Sequence, residues 1–478
     1  MEKKRELVAK YINLIRNEIR RGKTLEEITQ LLEREFSLKI SLSYLSLLLK
    51  RDGGSRHANR SKRALTKESP KGTDDALVAI YRNSRKIGTL ARVDDRFLFA
   101  YEPDTPLAER FVTEGVHDTI PPQIENLLPE GINRERLAYK HGLDPKESFE
   151  LLKHLDDAHG GYSTQPVEKK TLHPFDHSAR SYEETILPME SIEVEPDVQR
   201  AIEDLFLTGT SLLVNRLSNL SGQQPKTVVS FHDNHLYLPQ ESEYSNAILK
   251  VCNREYRDIN IVENMLLSLA RFELNIPTEK TLVLIDSQAK SQKPDFLKEK
   301  RDHFITSRYD RLGGEPRMAS ELLSILGKSS TRKYEVSIET IFDTIRRKAN
   351  ARSLRRLAEY YYFSFLAGNG DAHAKNIAFF KQPDGSLEIA PLYDVVNTAI
   401  YRIEGTLGIS LNNRTEIDHD DLFEFLSSFA DADRLHRMRR RFFEHIYDYL
   451  EISRPIMDSK IYDLLEHFYR KREKSCKK

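Results

Sequence analysis

Asp371 and Asn376 stand five positions apart in the run Gly368-Asn369-Gly370-Asp371-Ala372-His373-Ala374-Lys375-Asn376. Asp394 follows eighteen positions later, at the end of Pro391-Leu392-Tyr393-Asp394. A carboxylate that can face a hydroxyl, an amide oxygen and a second carboxylate are the groups that phosphoryl transfer needs. The first orients the nucleophile or takes its proton. The other two can hold Mg²⁺, a hard cation that prefers oxygen ligands. The interval between them predicts two strands, Ile377 to Phe380 and Leu387 to Ala390, around a turn at Pro383-Asp384-Gly385. Such a hairpin returns Asp394 to Asn376. The same residue types are ordinary turn formers, so a plain loop is the alternative on spacing alone.

These residues need a scaffold. The chain has 478 residues, too many for one core, and roughly two to four domains are expected. Formal net charge is zero, with 74 basic and 74 acidic residues. The balance is not local: residues 1–70 hold 17 Lys and Arg against 9 Asp and Glu, a net of +8. A basic head on a neutral chain points to nucleic acid, with a solvated basic arm as the alternative. Cys252 and Cys476 lie far apart, which excludes a disulfide scaffold and a cysteine-rich zinc site and fits a reducing cytoplasm. The charged start Met1-Glu2-Lys3-Lys4-Arg5 is unlike a signal core, and no stretch nears the ~18 apolar residues of a membrane span.

Residues 5–21 read as an amphipathic helix closed by Gly22, and Thr24-Leu25-Glu26-Glu27 opens a second through Phe36. Ser41 caps a third that ends near Lys50. This is the outline of a helix-turn-helix unit over 1–51. Its third helix offers Ser41, Ser43, Tyr44, Lys50 and Arg51 to DNA, and Leu42, Leu45 and Leu48 to a core. A basic Gly- and Ser-containing linker follows over 52–75. Leu77 to Tyr81, Lys86 to Ala91 and Arg96 to Tyr101 read as strands, 108–158 as mostly helical, and 159–185 as loop. A new unit is expected from 197. It has strands at Thr227 to Phe231, His235 to Leu238, Ala247 to Val251, Thr281 to Ile285 and His303 to Tyr309, and a helix from Arg257 to Glu273. After Arg311 helices dominate. The fold class is α+β. The expected divisions are an N-terminal subdomain over 76–196, a β-rich lobe over 197–311 and a helical lobe over 312–478.

A loop with glycine, a strand lysine, a helix glutamate, a hinge strand and then D-x-x-x-x-N is the order of a protein kinase. The match narrows further. Gly368 to Asn376, Ala390-Pro391-Leu392-Tyr393-Asp394, Arg308-Tyr309-Asp310-Arg311 and Leu220-Ser221-Gly222-Gln223-Gln224-Pro225-Lys226 each resemble a signature of the HipA family of bacterial serine/threonine kinases. These are toxins of toxin–antitoxin pairs. Asn126-Leu127-Leu128-Pro129-Glu130-Gly131 and Lys333-Tyr334-Glu335 also fit family patterns. The resemblance covers about residues 76–450 and implies a bilobed kinase-like fold that uses ATP and Mg²⁺. It implies Asp371 as the catalytic base, with His373 and Lys375 near the γ-phosphate. Asn376 and Asp394 become the metal ligands, and Lys250, steadied by Glu263, the phosphate partner. Ser221, Gly222, Gln223, Gln224 and Lys226 form the ATP loop, and Ser307, Arg308 and Tyr309 line the adenine site.

The residues taken singly leave other readings open. Lys250 could be a surface lysine whose stem covers a strand, Tyr309 a core residue, and Arg308, Asp310 and Arg311 a structural ion-pair cluster. Family members that autophosphorylate carry serines just before the loop glycine, which makes Ser221, and less so Ser218, the expected sites here. Met318-Ala319-Ser320-Glu321-Leu322 departs from the family's usual stretch after R-[FY]-D-R. The resemblance implies a protein substrate, with aminoacyl-tRNA synthetases among the target classes, and an antitoxin partner. The basic head implies DNA and, through pairing of helix-turn-helix units, a homodimer. Two other functions share the features: a small-molecule kinase, and a transcriptional regulator whose kinase body is an inactive sensor.

Overall fold

The computed structural model describes residues 77–93, 96–106, 109–165, 170–208, 224–253, 255–286, 301–311, 313–401 and 406–476. The basic head and linker, Ser218 and Ser221 to Gln223 lie outside the described residues. Chain order gives first an antiparallel sheet of Leu77–Arg82 (β1), Arg85–Val93 (β2), Arg96–Tyr101 (β3), Gly115–His117 (β4) and Tyr162–Ser163 (β5), in the order β4-β3-β2-β1-β5. Asn83 and Ser84 take positive φ in the β1–β2 turn, a backbone that suits the twist of a tight hairpin. Three helices, Pro122–Glu125 (α1), Gly131–His141 (α2) and Ser148–Leu152 (α3), pack against this sheet. Val78, Ile80, Leu90, Phe99, Ile124 and Leu151 are buried between them. The stretch 108–158 is therefore less helical than its sequence suggests, since β4 lies within it.

The second sheet is the platform of the site. Its strands are Ile186–Pro188 (β7), Glu193–Val194 (β8), Lys226–His232 (β9), His235–Tyr237 (β10), Ala247–Lys250 (β12), Thr281–Asp286 (β13) and Arg301–Ser307 (β14), and their order is β7-β13-β14-β12-β9-β10-β8. Thr171–Leu172 (β6) and Glu243–Tyr244 (β11) form a separate parallel pair. The central strands are antiparallel, and the short outer strands β7 and β8 run parallel to β13 and β10. Pro196–Thr208 (α4) closes one face with Val198, Ile202 and Leu205 against Phe231, Leu249 and Ile305. Ile259–Phe272 (α5) lies on the other. Its residues from Asn260 to Ala270 are all buried, as expected of a helix covered on every side. Tyr309, expected at the end of a strand, instead follows the end of β14 at Ser307 and lies in a 3₁₀ turn over Tyr309–Arg311.

The C-terminal lobe contains Leu322–Ile325 (α6), Ile338–Ile345 (α7), Ala351–Ala367 (α8), His419–Ser427 (α9), Ala432–Ser453 (α10) and Ser459–Ser475 (α11). A three-stranded sheet interrupts the helices: Ala319–Glu321 (β15), Ala378–Lys381 (β16) and Leu387–Ile389 (β17), in the order β15-β16-β17. The hairpin β16–β17 is the one the sequence predicts, whereas β15 comes from the atypical Met318 to Leu322 stretch. Helix α8 starts on Asn350, whose side chain accepts from Ser353 N–H, and stops at Gly368 with φ +77. A Cβ there would sit 2.5 Å from the Phe468 ring, so glycine is required both for the turn and for the packing. Among the described residues no helix is long and apolar enough to cross a membrane.

The first sheet's domain is bound to the second through buried charge. Asp157, on the chain just before β5, accepts from Arg308 at 3.1 Å and from Arg311 at 2.7 Å. Asp310 pairs with both arginines and accepts from Gly160 N–H at 2.6 Å. Burial works against an ionised Asp157, but the two guanidinium groups hold its carboxyl down to about 2. Removing one partner of such a cluster strands the others' charge. Asp157→Asn is therefore expected to cost about 3–5 kcal/mol in denaturant unfolding, the range for breaking a buried pair. Because the folded pKa is depressed, the stabilisation is present above the ordinary aspartate range and is lost as pH falls through about 2. The wild type should lose stability there more steeply than the Asn variant.

Candidate active site

A cleft of about 720 Å³, counted to its open mouth, lies between the seven-stranded sheet and the C-terminal lobe. Lys226, Lys250, Glu263, Ser307, Arg308, Tyr309, Lys375, Asn376 and Asp394 all line it. Residues more than 160 positions apart in sequence thus share one cavity.

Lys250 ends β12. Its Nζ donates to both Glu263 carboxylate oxygens at 2.7 Å and to Asp394 Oδ1 at 2.7 Å. Lysine and glutamate are both buried, which rules out the surface-lysine reading. Burial opposes the ammonium, yet Asp394 and Glu263 raise its pKa above the usual lysine value. Asp394 is likewise held well below the carboxylate range, against burial, by Lys250 and Lys226. Burial, with Asp394 nearby, pushes Glu263 up, so of the two carboxylates Asp394 is the more firmly ionised. Asp394 also adopts φ +55, a left-handed backbone that aspartate tolerates better than most residues. Lys226 stands opposite Lys250 in the β9–β12 register. Burial lowers it to about 8, against the pull of Asp394.

The loop after α8 is fixed by its own backbone. Gly370 N–H donates to Thr398 Oγ1 at 2.7 Å, and Leu323 N–H donates to Ala374 O at 2.9 Å. Gly408, with φ +65, backs this loop so closely that a Cβ would meet Gly370 O at 2.8 Å. Asn376 Nδ2 donates to Asp371 O at 2.9 Å, which leaves its Oδ1 as the atom suited to a cation. Asp371 keeps 39% of its side-chain surface exposed. It accepts from the Tyr334 hydroxyl at 2.7 Å, and His373 Nε2 lies 3.7 Å away. Burial lowers the His373 pKa although Asp371 opposes this, so its ring is neutral near pH 7.

Three expected contacts differ from expectation. Lys375 lines the cleft, but its ammonium is buried against Glu130 Oε1 at 2.8 Å and Glu321 Oε2 at 3.4 Å rather than open to a phosphate. Arg308 lines the cleft, but its guanidinium belongs to the Asp157 cluster, the structural alternative. Gln224 donates to the Asn260 side chain at the start of α5, away from the cleft lining. Tyr309 serves both readings: its ring stacks on Tyr393 at 4.9 Å within a small apolar cluster, and it also lines the cleft.

Sequence reasoning assigned no role to Glu130, Glu279, Glu321 or Tyr334. Glu130 and Tyr334 sit inside stretches whose pattern was visible; their partners were not. Glu279 accepts from Ser307 Oγ, and burial raises it to about 8. Its N–H donates to Leu392 O at 3.0 Å, which straps the hinge to the segment carrying Asp394. Glu321 is raised to about 7 by burial. Glu130 comes from the first domain and is nonetheless held below its usual value by Lys375, against burial.

Comparison with known proteins agrees with this architecture. Residues 78–161 match the HipA N-terminal domain and residues 218–453 the HipA-like C-terminal domain. The serine/threonine-protein kinase toxin HipA of Shewanella oneidensis MR-1 is 26% identical over 345 residues, 66% of this chain and 72% of that one. The protein Y4dM of Sinorhizobium fredii NGR234 is 26% identical over 306 residues, 61% of this chain and 66% of its own. Among solved structures, HipA of Shewanella oneidensis MR-1, in complex with HipB and operator DNA, aligns with a TM-score of 0.61 at 20% identity. The alignment covers 84% of this chain and 96% of that one.

The Glu130–Lys375 pair carries a direct consequence. Glu130→Ala leaves the buried ammonium with Glu321 alone, and a loss of about 2–3 kcal/mol is expected from removing one hydrogen-bonded charge partner. Glu130→Gln, which keeps an acceptor, should lose less. Chemical denaturation of the two variants checks the order; equal losses would show that the pair is not what holds Lys375.

Proposed function

The chain belongs to the HipA family, and from that premise we propose that it is an ATP-dependent serine/threonine protein kinase. The observation that carries the reading is the meeting of Lys250, Glu263, Asp394 and Asn376 in one cleft, with Asn376 bonded to the backbone of a part-exposed Asp371. The donor set fits the group. Asn376 Oδ1 and the ionised Asp394 are oxygen ligands of the kind Mg²⁺ takes. Lys226 and Lys250 are cations placed for a polyphosphate. The bound metal–nucleotide supplies an electrophilic phosphoryl group with its charge partly neutralised. This chain's own residues then do the rest. Lys250 and Lys226 draw the phosphates against the sheet. Asp371 orients the acceptor hydroxyl and takes its proton. Neutral His373 packs beside Asp371, and Lys375 holds the loop in shape.

The regulatory parts of the proposal follow the resemblance. Ser221, with Ser218 as second choice, is the proposed autophosphorylation site. A phosphate there adds about −1.5 to −2 charges where ATP phosphates must enter, so it switches the enzyme off. The protein target belongs to the translation apparatus in this reading, aminoacyl-tRNA synthetases being the class the resemblance implies. The Shewanella relative was solved with HipB and operator DNA. By analogy a small antitoxin is a proposed partner here, and a cytoplasmic homodimer the proposed form. Residues 1–70 are proposed to bind duplex DNA, with Ser41, Ser43 and Tyr44 in the groove and Lys50 and Arg51 on phosphates.

Three experiments test this. Asp371→Ala, Asn376→Ala and Asp394→Asn should each lower transfer from labelled ATP by at least about a thousandfold while leaving the protein folded, since catalysis here is positioning and charge neutralisation. Wild-type autophosphorylation in Asp371→Ala would refute the base. Mass spectrometry of the same proteins should find phosphate on Ser221 or Ser218 in the active form only. Deletion of residues 1–55 should abolish operator DNA binding, which in the full chain should weaken steeply with salt. Retained DNA binding would move the function elsewhere, and a sharp rise in toxicity would make the head a built-in inhibitor.

A further inference from the structure

Tyr334 donates its hydroxyl to Asp371 Oδ1 at 2.7 Å. Among the described residues it is one of the few large rings left open to solvent, at 53% exposure. The ring packs edge-on against His373, with centroids 5.2 Å apart and planes at 68°. Its segment joins α6 to α7. Lys333, next to it, reaches Glu130 at 3.8 Å, and Leu323, in α6, is bonded to the loop that carries Asp371. The tyrosine therefore has an anchored backbone and an exposed side chain. Its O–H meets the carboxylate as a serine or threonine hydroxyl would. Burial and the adjacent Asp371 raise its pKa, so the proton stays on the phenol and the contact remains a neutral donor on a carboxylate.

We infer that Tyr334 is a specificity-determining residue: it stands in the acceptor's place at Asp371 and denies that carboxylate to water until a polypeptide hydroxyl displaces it. The inference rests on the kinase reading. Two reactions compete for Asp371. In either, an O–H gives its proton to the carboxylate and its oxygen bonds to the γ-phosphorus. The bond from that phosphorus to the β–γ bridging oxygen breaks, and ADP leaves with the electron pair. A serine or threonine yields a phosphoprotein, whereas water yields inorganic phosphate and wastes the nucleotide. A polypeptide laid beside Asp371 can pack against the displaced ring and supply a hydroxyl. A water molecule offers no such compensation, so the tyrosine discriminates by size and contact rather than by acidity. The competing view is that Tyr334 only props Asp371 in its rotamer. In that case its loss harms both reactions alike.

The test uses the full chain with Mg²⁺ and labelled ATP, and the Asp371→Ala copy of the same chain as protein acceptor. Phosphate released and phosphate bound to protein are measured together. Tyr334→Phe keeps the ring on His373 and removes only the hydroxyl. It should raise released over protein-bound phosphate by about ten- to a hundredfold, the worth of one charge-assisted hydrogen bond. Tyr334→Ala should do the same or more, and Asp371→Ala alone should do neither reaction. An unchanged ratio, or a parallel fall of both products, overturns the inference. A wild type that makes neither product defeats the kinase reading instead. A nucleotide-free measurement then still decides the contact: tetranitromethane should nitrate Tyr334 several-fold faster in Asp371→Ala than in the wild type, because the carboxylate no longer holds the phenol. Equal nitration rates overturn the inference whatever the enzyme's activity.

Discussion

The ammonium of Lys250 has to be neutralised where it is, and that requirement organises the molecule. It is buried at the end of a central strand, where an unpaired charge would cost several kcal/mol. Its partners come from different parts of the chain: Glu263 from a helix packed on the sheet, Asp394 from beyond the C-terminal lobe's hairpin. The lysine can be satisfied only if sheet, helix and lobe meet at hydrogen-bond distance. Helix α5 is covered throughout its middle because it is clamped between the two. The Glu279 N–H to Leu392 O bond is a second strap on the same seam. The geometry proposed to bind nucleotide is thus the geometry that joins the lobes. Asp394 spends one oxygen on Lys250, so the phosphates and cation proposed to bind here would exchange partners within this set.

The first domain is joined by the same kind of charge pairing. It sends Asp157 into the Arg308–Asp310–Arg311 cluster and Glu130 onto Lys375. Asn126 Nδ2 adds bonds to Ser324 Oγ and Lys328 O, both at 3.0 Å. These contacts fall on the hinge, the loop bearing Asp371 and the segment leading to Tyr334. The domain therefore forms a wall of the site rather than an appendage. Gly160 and Gly161 show how close the approach is. Both have positive φ, and a Cβ at Gly160 would lie 3.0 Å from Ala319 O. The Arg308–Arg311 motif is legible in sequence as a signature, yet its physical work is to satisfy buried charge across this joint.

Much of the site was readable because its chemistry is local in sequence. The Asp371 to Asn376 spacing and the hairpin to Asp394 depend on short-range turn and strand rules, and the fold follows them. The strand lysine and helix glutamate are legible because short apolar runs mark β9 and β12 and a longer one marks α5. What escaped is long-range. Nothing near Glu130 in sequence says that it will meet Lys375, 245 positions away. Nothing near Arg308 says that Asp157 will claim its guanidinium. A lysine in a phosphate-binding motif reads as a phosphate contact until its real carboxylate partners are known. Strand β15 was missed for a related reason: three residues pair there only because β16 presents an edge to them, and intrinsic propensity is a weak guide to so short a strand.

The two aspartates proposed as metal ligand and as base have opposite surroundings, and the difference suits those proposed roles. Asp394 lies between two lysines, with its backbone in a left-handed turn that fixes where the carboxylate points. It is held ionised under any physiological condition, as a ligand for a cation must be. Asp371 keeps a large exposed fraction. Its side-chain partners among the described residues are a hydroxyl and, farther off, a neutral imidazole. Neither is a fixed cation that would hold the carboxylate against a substrate. A group that must trade partners once per turnover cannot be locked into a buried ion pair, since breaking one costs too much. A tyrosine hydroxyl is a partner of the right strength: it satisfies the carboxylate and presents the same O–H group as the serine or threonine proposed to replace it. The same separation of environments distinguishes acid from base wherever two carboxyl groups share a site; here it fits the proposed division between a permanent ligand and an exchangeable base.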